Sequence, residues 1–324
     1  MKKSFHSAKW LLAALFGATA CTNTDHGIPN PAFPERIAFV AERQYPEGIT
    51  FSPQLGRFLI SSITQGKIGT VGFDGKYEDL LTDPQLISAI GIRERNGLLY
   101  VCNSDNVVSS KSTPATTGTT AELLVFNIAT KQLIRRVDLD ALLPNQPHLA
   151  NDVAVDDQGN AYVTDSFSPV VYKVTAGGQA SILVNSPLFA GQGFNLNGIV
   201  FHPNGYLIVA KTNQGKLFKI DLGNNNAISE ITGFGVLPGD GLTLFVNDLY
   251  VVSQGSRVVQ VRSLDNWQTA NVIKIDAIGY AQATTNVEVG GKIYTLNARI
   301  GEIGAAAGNP ALLQAKDYTI QQFK

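Results

Sequence analysis

From Glu47 onward the chain repeats one pattern of apolar and polar positions six times. A short alternating strand enters a turn rich in Gly, Asn, Pro or Asp, and a second strand of Val, Ile, Leu and Tyr leaves it, the pattern of a β-hairpin. The segments are EGITFSPQLGRFLISS, IGIRERNGLLYVCNS, NDVAVDDQGNAYVTDS, NGIVFHPNGYLIVAK, DGLTLFVNDLYVVSQ and TNVEVGGKIYTLNAR. Most are followed by a third alternating strand: GKIGTVGF, AELLVFNI, VVYKVTAG, GKLFKIDL and RVVQVRSL. The segments start at Glu47, Ile90, Asn151, Asn197, Asp240 and Thr285, giving steps of 43, 61, 46, 43 and 45 residues.

A period of this size, with three or four strands per unit and no sustained 3.6-residue pattern, predicts an all-β fold, a six-bladed β-propeller. The last repeat ends with DYTIQQFK as its third strand and lacks an outer one. RIAFVAER, residues 36–43, precedes the first repeat and is free to pair there, which closes the ring and protects two sheet edges. Residues 35–324 therefore form one propeller domain, and 324 residues leave little for a second.

The first residues are of another kind. Lys2, Lys3 and Lys9 precede the apolar run LLAALFG, and Ala18-Thr19-Ala20 stands before Cys21. This predicts a secretory signal over residues 1–20 and an exported protein of the periplasm or outer cell envelope. Cys21 also resembles a bacterial lipoprotein processing site, so a lipid anchor there is the single membrane contact expected, with residues 21–34 as a tether. Cys102, in the apolar run LLYVCN, reads as a buried strand residue rather than half of a disulfide. A net charge of −1 gives no electrostatic reason to expect a nucleic-acid partner.

The repeat phase carries the chemistry. Inner strands of a propeller line the central channel, so residues in one phase form a ring around it, here Glu, Ile, Asn, Asn, Asp and Thr. Two carboxylates and two amides converging on an axis are costly to bury, and a hard divalent cation relieves the cost by taking oxygen ligands. Ca²⁺ comes first, with Mg²⁺, Mn²⁺ and carboxylate-bound Zn²⁺ as alternatives. Any one of these residues alone would read as a strand-entry turn residue.

The pairs Glu47-Gly48, Asn151-Asp152, Asn197-Gly198 and Asp240-Gly241 resemble the four signatures of the SMP-30/gluconolactonase/LRE-like family, across nearly all of the chain after its leader. The resemblance implies a divalent ion in the channel held by Glu47, Asn197 and Asp240, with Asn151 beside the metal and the substrate or a water. It also implies Asp240 as general base in lactone hydrolysis, so Asp240 and Asn151 are the catalytic candidates. The chain departs from the family in two places. Leu149 stands where family lactonases often carry a sugar-binding Arg, and EGITFS lacks the usual Pro and aromatic of the first signature.

Antiparallel strands put the loop after each second strand on the same face as the ring. Residues 104–120, SDNVVSSKSTPATTGTT, account for the long step and predict a flexible insertion over the channel mouth, a lid or an ornament. LDALLPNQPHLA and NSPLFAGQGFNL bring Leu142, Leu143, His148, Leu149, Phe189 and Phe194 to an apolar rim, which favours a hydrophobic lactone or ester over a sugar acid. His148 is either a second acid or base or a plain loop histidine, and His202 in FHPNG sits at the opposite face. No G-x-S-x-G, H-E-x-x-H or P-loop offers a competing chemistry, and GQGFNLNG lacks dinucleotide-loop spacing. Two readings follow: a metal-dependent hydrolase of a small-molecule lactone or ester, and a non-catalytic metal-containing propeller that binds a ligand or partner. A strictosidine-synthase-like propeller is a weaker third, because it leaves the carboxylates without a role.

Overall fold

Six antiparallel four-stranded sheets follow one another along the chain in a computed structural model that describes Met1 and residues 33–324. The expected leader and its Cys21 lie outside the described residues. Five blades take their strands in sequence order. Their innermost strands are Ile49–Ser52, Ser88–Arg95, Ala150–Val155, Leu196–His202 and Gly239–Phe245. In the sixth, Ala283–Val289, Lys292–Asn297 and Asp317–Gln322 are joined by Arg36–Val40 as the outermost strand. The register runs from Arg36 opposite Gln321 to Val40 opposite Asp317, so the ring closes as the unpaired third strand predicts. The sequence reading does not resolve the outer strand of the first five blades, such as Tyr77–Thr82 and Asn271–Asp276. Their burial is slight on both faces, and a weakly buried strand carries little alternation to read.

Cores form where blades face each other. Leu59, Ile68, Leu99, Val101, Leu124 and Phe126 pack the first blade on the second, while Val200, Ile208, Leu242, Val251, Val261 and Trp267 pack the fourth on the fifth. Cys102 is buried and unpaired in this packing, as the apolar run predicts. Among the described residues no helix is long and apolar enough to cross a membrane.

One device repeats at the channel. Five inner strands carry a register irregularity within their first residues, at Ala89/Ile92, Ala150/Val153, Leu196/Ile199, Gly239/Leu242 and Ala283/Asn286. Such a bulge re-aims the entering side chains. It also brings neighbouring inner strands into backbone contact. A Cβ on Gly48 would lie 2.6 Å from the Ile90 carbonyl, and one on Gly198 would lie 2.3 Å from the Asp240 carbonyl. The bulges set the true phase: the residue after Ala283 is Thr284, so Thr284 and not Thr285 completes the ring. Two adjacent threonines leave the register ambiguous by one residue in the sequence.

Candidate functional site

Hydrogen bonds tie several ring residues to their own blade and to the next. The Glu47 and Gly48 amides both donate to Ser61 Oγ, at 3.1 and 2.8 Å, and Thr284 Oγ1 donates 2.7 Å to the Glu47 carbonyl. Asn151 Nδ2 donates 2.9 Å to Ser166 Oγ, which donates 2.6 Å to the Leu196 carbonyl. That relay fixes the amide so that its oxygen is the free atom. Thr164 Oγ1 donates 2.6 Å to the Asn197 carbonyl, and the Asn197 side chain lies beside Asp240, whose pKa it lowers.

Glu47, Ile90, Asn151, Asn197, Asp240 and Thr284 all line one cavity of about 640 Å³. Glu47, Asn151 and Asn197 are otherwise buried, and Glu47 Oε2, Asn151 Oδ1 and Asn197 Oδ1 have no hydrogen-bond partner. Leaving a buried oxygen unsatisfied costs about 1 to 3 kcal/mol, so three such oxygens on one floor fit a cation or a hydrogen-bond donor there. Burial pushes Asp240 up to about 7, opposed by the Asn197 hydrogen bond and reinforced by the charge of Asp152. Burial also pushes Glu47 well above the carboxylate range, with Asp240 and Asp152 adding to it.

Asp152 is the residue that sequence reasoning passes over. It is buried, accepts from the Val153 and Ile199 amides at 2.8 and 3.2 Å, and is raised by burial against the opposing charge of Arg93. Its position in phase is otherwise Gly or Thr, which was the available signal. Glu47 and Asp240 on the floor, with Asp152 behind them and Arg93 acting on Asp152, make an anionic pocket with oxygen donors and no soft ligand. This suits a hard divalent cation. Among the described residues no three His, Cys, Asp or Glu side chains cluster as a metal set; the candidate set instead joins two carboxylates to two amide oxygens.

The walls differ in part from the expected rim. Leu149 and Phe194 line the cavity, and Phe194 is exposed. His148 does not reach the rim: it is 1% exposed, with Nδ1 at 2.7 Å from Asp165 Oδ2 and Nε2 at 2.9 Å from the Leu143 carbonyl. Both ring nitrogens face acceptors. Asp165 and then the Leu143 carbonyl and Asp140 raise its pKa against the lowering effect of burial. Phe189 is also turned inward, fully buried and edge-on to Phe218 with ring centroids 5.5 Å apart. His202 lies at the first turn of the fourth blade, stacked on Tyr206 at 4.3 Å.

Two inserts supply the walls instead. In the second blade, residues 104–120 are pinned rather than loose. The buried Asp105 carboxylate accepts from the Val107 amide at 2.9 Å, Ser112 Oγ at 2.5 Å and Thr116 Oγ1 at 2.7 Å. Lys111 Nζ donates to the Gly66, Asp83 and Leu86 carbonyls. Asn106, Val107 and Val108 thereby face the cavity. In the sixth blade a short helix, Gly301–Ala305, brings Ile300, Ile303 and Ala307 to the same space. Its Gly- and Ala-rich sequence gives no periodic signal. The inserts approach each other at Val107 and Gly308, where an added Cβ would lie 3.3 Å from Val107 Cγ1.

No protein-family model matches the chain, and no curated protein matches it in sequence. Solved structures do. The chain is similar to the major allergen Mala s 1 of Malassezia sympodialis, with a TM-score of 0.71 at 17% identity over 90% of this chain and 97% of that one. A luciferin-regenerating enzyme matches with a TM-score of 0.60 at 14% identity, over 88% and 95%. The calcium-binding protein regucalcin from Agrobacterium tumefaciens matches with a TM-score of 0.59 at 16% identity, over 90% and 94%. At these identities the likeness shows the shared propeller fold.

Proposed function

We propose that this chain is an exported, divalent-metal-dependent hydrolase of a lactone or related ester. The observation that carries the reading is the convergence of Glu47 Oε2, Asn151 Oδ1 and Asn197 Oδ1, each buried and unpartnered, with a desolvated Asp240 on the floor of one cavity. Glu47, Asn197 and Asp240 would hold the ion, with Asn151 beside it, and Ca²⁺ fits this oxygen set best. The neighbour named as calcium-binding supports that choice. A bound divalent ion supplies Lewis acidity, polarising a carbonyl and lowering the pKa of a coordinated water.

The chain's own residues then divide the work. Asp240 accepts the proton of a water at the floor or orients that water. Asn151 offers an oxygen, because its nitrogen is committed to Ser166, so it serves as an acceptor for a water or a substrate hydroxyl. Apolar walls exclude bulk water and strengthen each polar contact inside. Metal analysis of the purified protein, with turnover against lactones and aryl esters for wild type, Glu47→Gln and Asp240→Asn, tests the reading. Metal-dependent turnover lost in both variants is the expected result. A full metal complement without turnover would sink it in favour of a non-catalytic binding propeller.

A further inference from the structure

The cavity has two unlike sides. Of the described side chains that line it, only Glu47 and Asp240 carry charge, and both belong to the floor. Thr212, Gln254 and Gln282 put polar groups on the side of blades four to six. Over the first blade the wall is mainly aliphatic, Ile63, Val107, Val108, Ile300, Ile303 and Ala307, with Asn106 of the same insert as its polar side chain. A volume of about 640 Å³ falls inside the roughly 300 to 1,000 Å³ that holds a small organic ligand.

We propose that this side takes an aliphatic chain. The ligand would set its ester or lactone head on the carboxylate floor and run its alkyl tail beneath the two inserts toward blade one; only the identity of the head rests on the hydrolase reading. Three observations carry the tail. Among the described residues no Lys or Arg lines the cavity, and the aliphatic sector gives the hydroxyls of a sugar ring few side-chain partners. Val107 lines the cavity and is 42% exposed, so it offers apolar surface to a ligand that enters. Val107 also holds φ at 66°, a conformation that a β-branched residue rarely adopts. The Asp105 hydrogen bonds maintain that strain, and strained residues of this kind cluster at ligand sites.

The test is equilibrium binding of 2-alkylcyclopentanones, which keep a ring carbonyl and cannot be hydrolysed, from 2-methyl to 2-octyl. Calorimetry on the full chain, with and without Ca²⁺, should show affinity rising roughly two- to fourfold per added methylene until the wall is filled. Val107→Asp and Ile300→Asp, each checked for folding by its melting curve, should flatten that series. A flat wild-type series, binding at no length, or an unchanged series in both folded variants overturns the proposal. The two readings fail separately. Chain-length-dependent binding with no metal-dependent turnover of alkyl lactones removes the hydrolase and keeps the tail site. Turnover of short or sugar lactones with a flat series does the reverse.

Discussion

Floor and roof of the cavity are built by opposite means. The floor is periodic: each blade contributes one residue in one phase, set in five of the six by the same bulge and held by hydroxyls such as Ser61, Ser166 and Thr284. The roof is not periodic at all, and comes from one insert in the second blade and one in the sixth. A repeating fold thus fixes the position of a polar centre while leaving its surroundings free to vary. Chemistry of the centre and choice of ligand are separable in this molecule.

The largest effect should come from the floor. Glu47→Gln keeps the shape and removes a charge, and Ca²⁺ affinity by calorimetry should fall at least about 100-fold, since loss of an outer-shell partner alone costs 10- to 100-fold elsewhere. Undiminished affinity would break the identification of floor with metal site. Next comes Gly198→Ala, whose Cβ would press on the Asp240 backbone. Unfolding in urea should show a loss of about 1 to 3 kcal/mol, the usual cost of overpacking.

A smaller effect is expected from pH. Metal-free Asp240 titrates near 7 in the folded chain against about 3.9 in an unfolded one, so the folded state binds the extra proton. The resulting stability is present below about pH 4 and is lost as pH rises through about 7. Glu47 and His148, both raised, act in the same sense, His148 above its ordinary 6.5. Metal-free protein should therefore melt at a higher temperature at pH 5 than at pH 8, and added Ca²⁺ should raise the melting temperature more at pH 8. Equal Ca²⁺ effects at the two pH values would count against ionised carboxylates as ligands. The smallest effect on the floor should follow Asp105→Ala in the roof. Hydrogen exchange over residues 104–120 should accelerate while Ca²⁺ affinity changes less than about twofold. A large change in affinity would mean that floor and roof are coupled after all.

What the sequence reveals divides along the same line. Phase in a repeat is a strong signal, so the ring, its closure by residues 36–43 and the shared cavity of Glu47, Asn151, Asn197 and Asp240 are legible before any coordinates. Where the signal has no repeat to lean on, the reading slips. Thr285 stands in for Thr284 because a bulge shifts register by a single residue. His148 and Phe189 belong to rim loops by sequence, yet Asp165 draws one inward and Phe218 the other. Asp152 is hidden because its partners are backbone amides, Val153 and Ile199, which no residue pattern encodes. The Ser- and Thr-rich insert looks loose by composition, but the buried Asp105 gathers its hydroxyls.

The seam between Arg36–Val40 and Asp317–Gln322 bears on how the protein comes into being. Arg36 pairs with Gln321, and a loop of that length carries a closure entropy whose length-dependent part is about 5 kcal/mol. Each blade before it needs only local pairing, so the seam belongs at the end of the folding order. Thr284, in the blade that the seam completes, is hydrogen-bonded to the backbone of Glu47. A nascent chain still lacking its last strand would hold every ligand and no site, and cation affinity would then report the moment at which the ring is sealed.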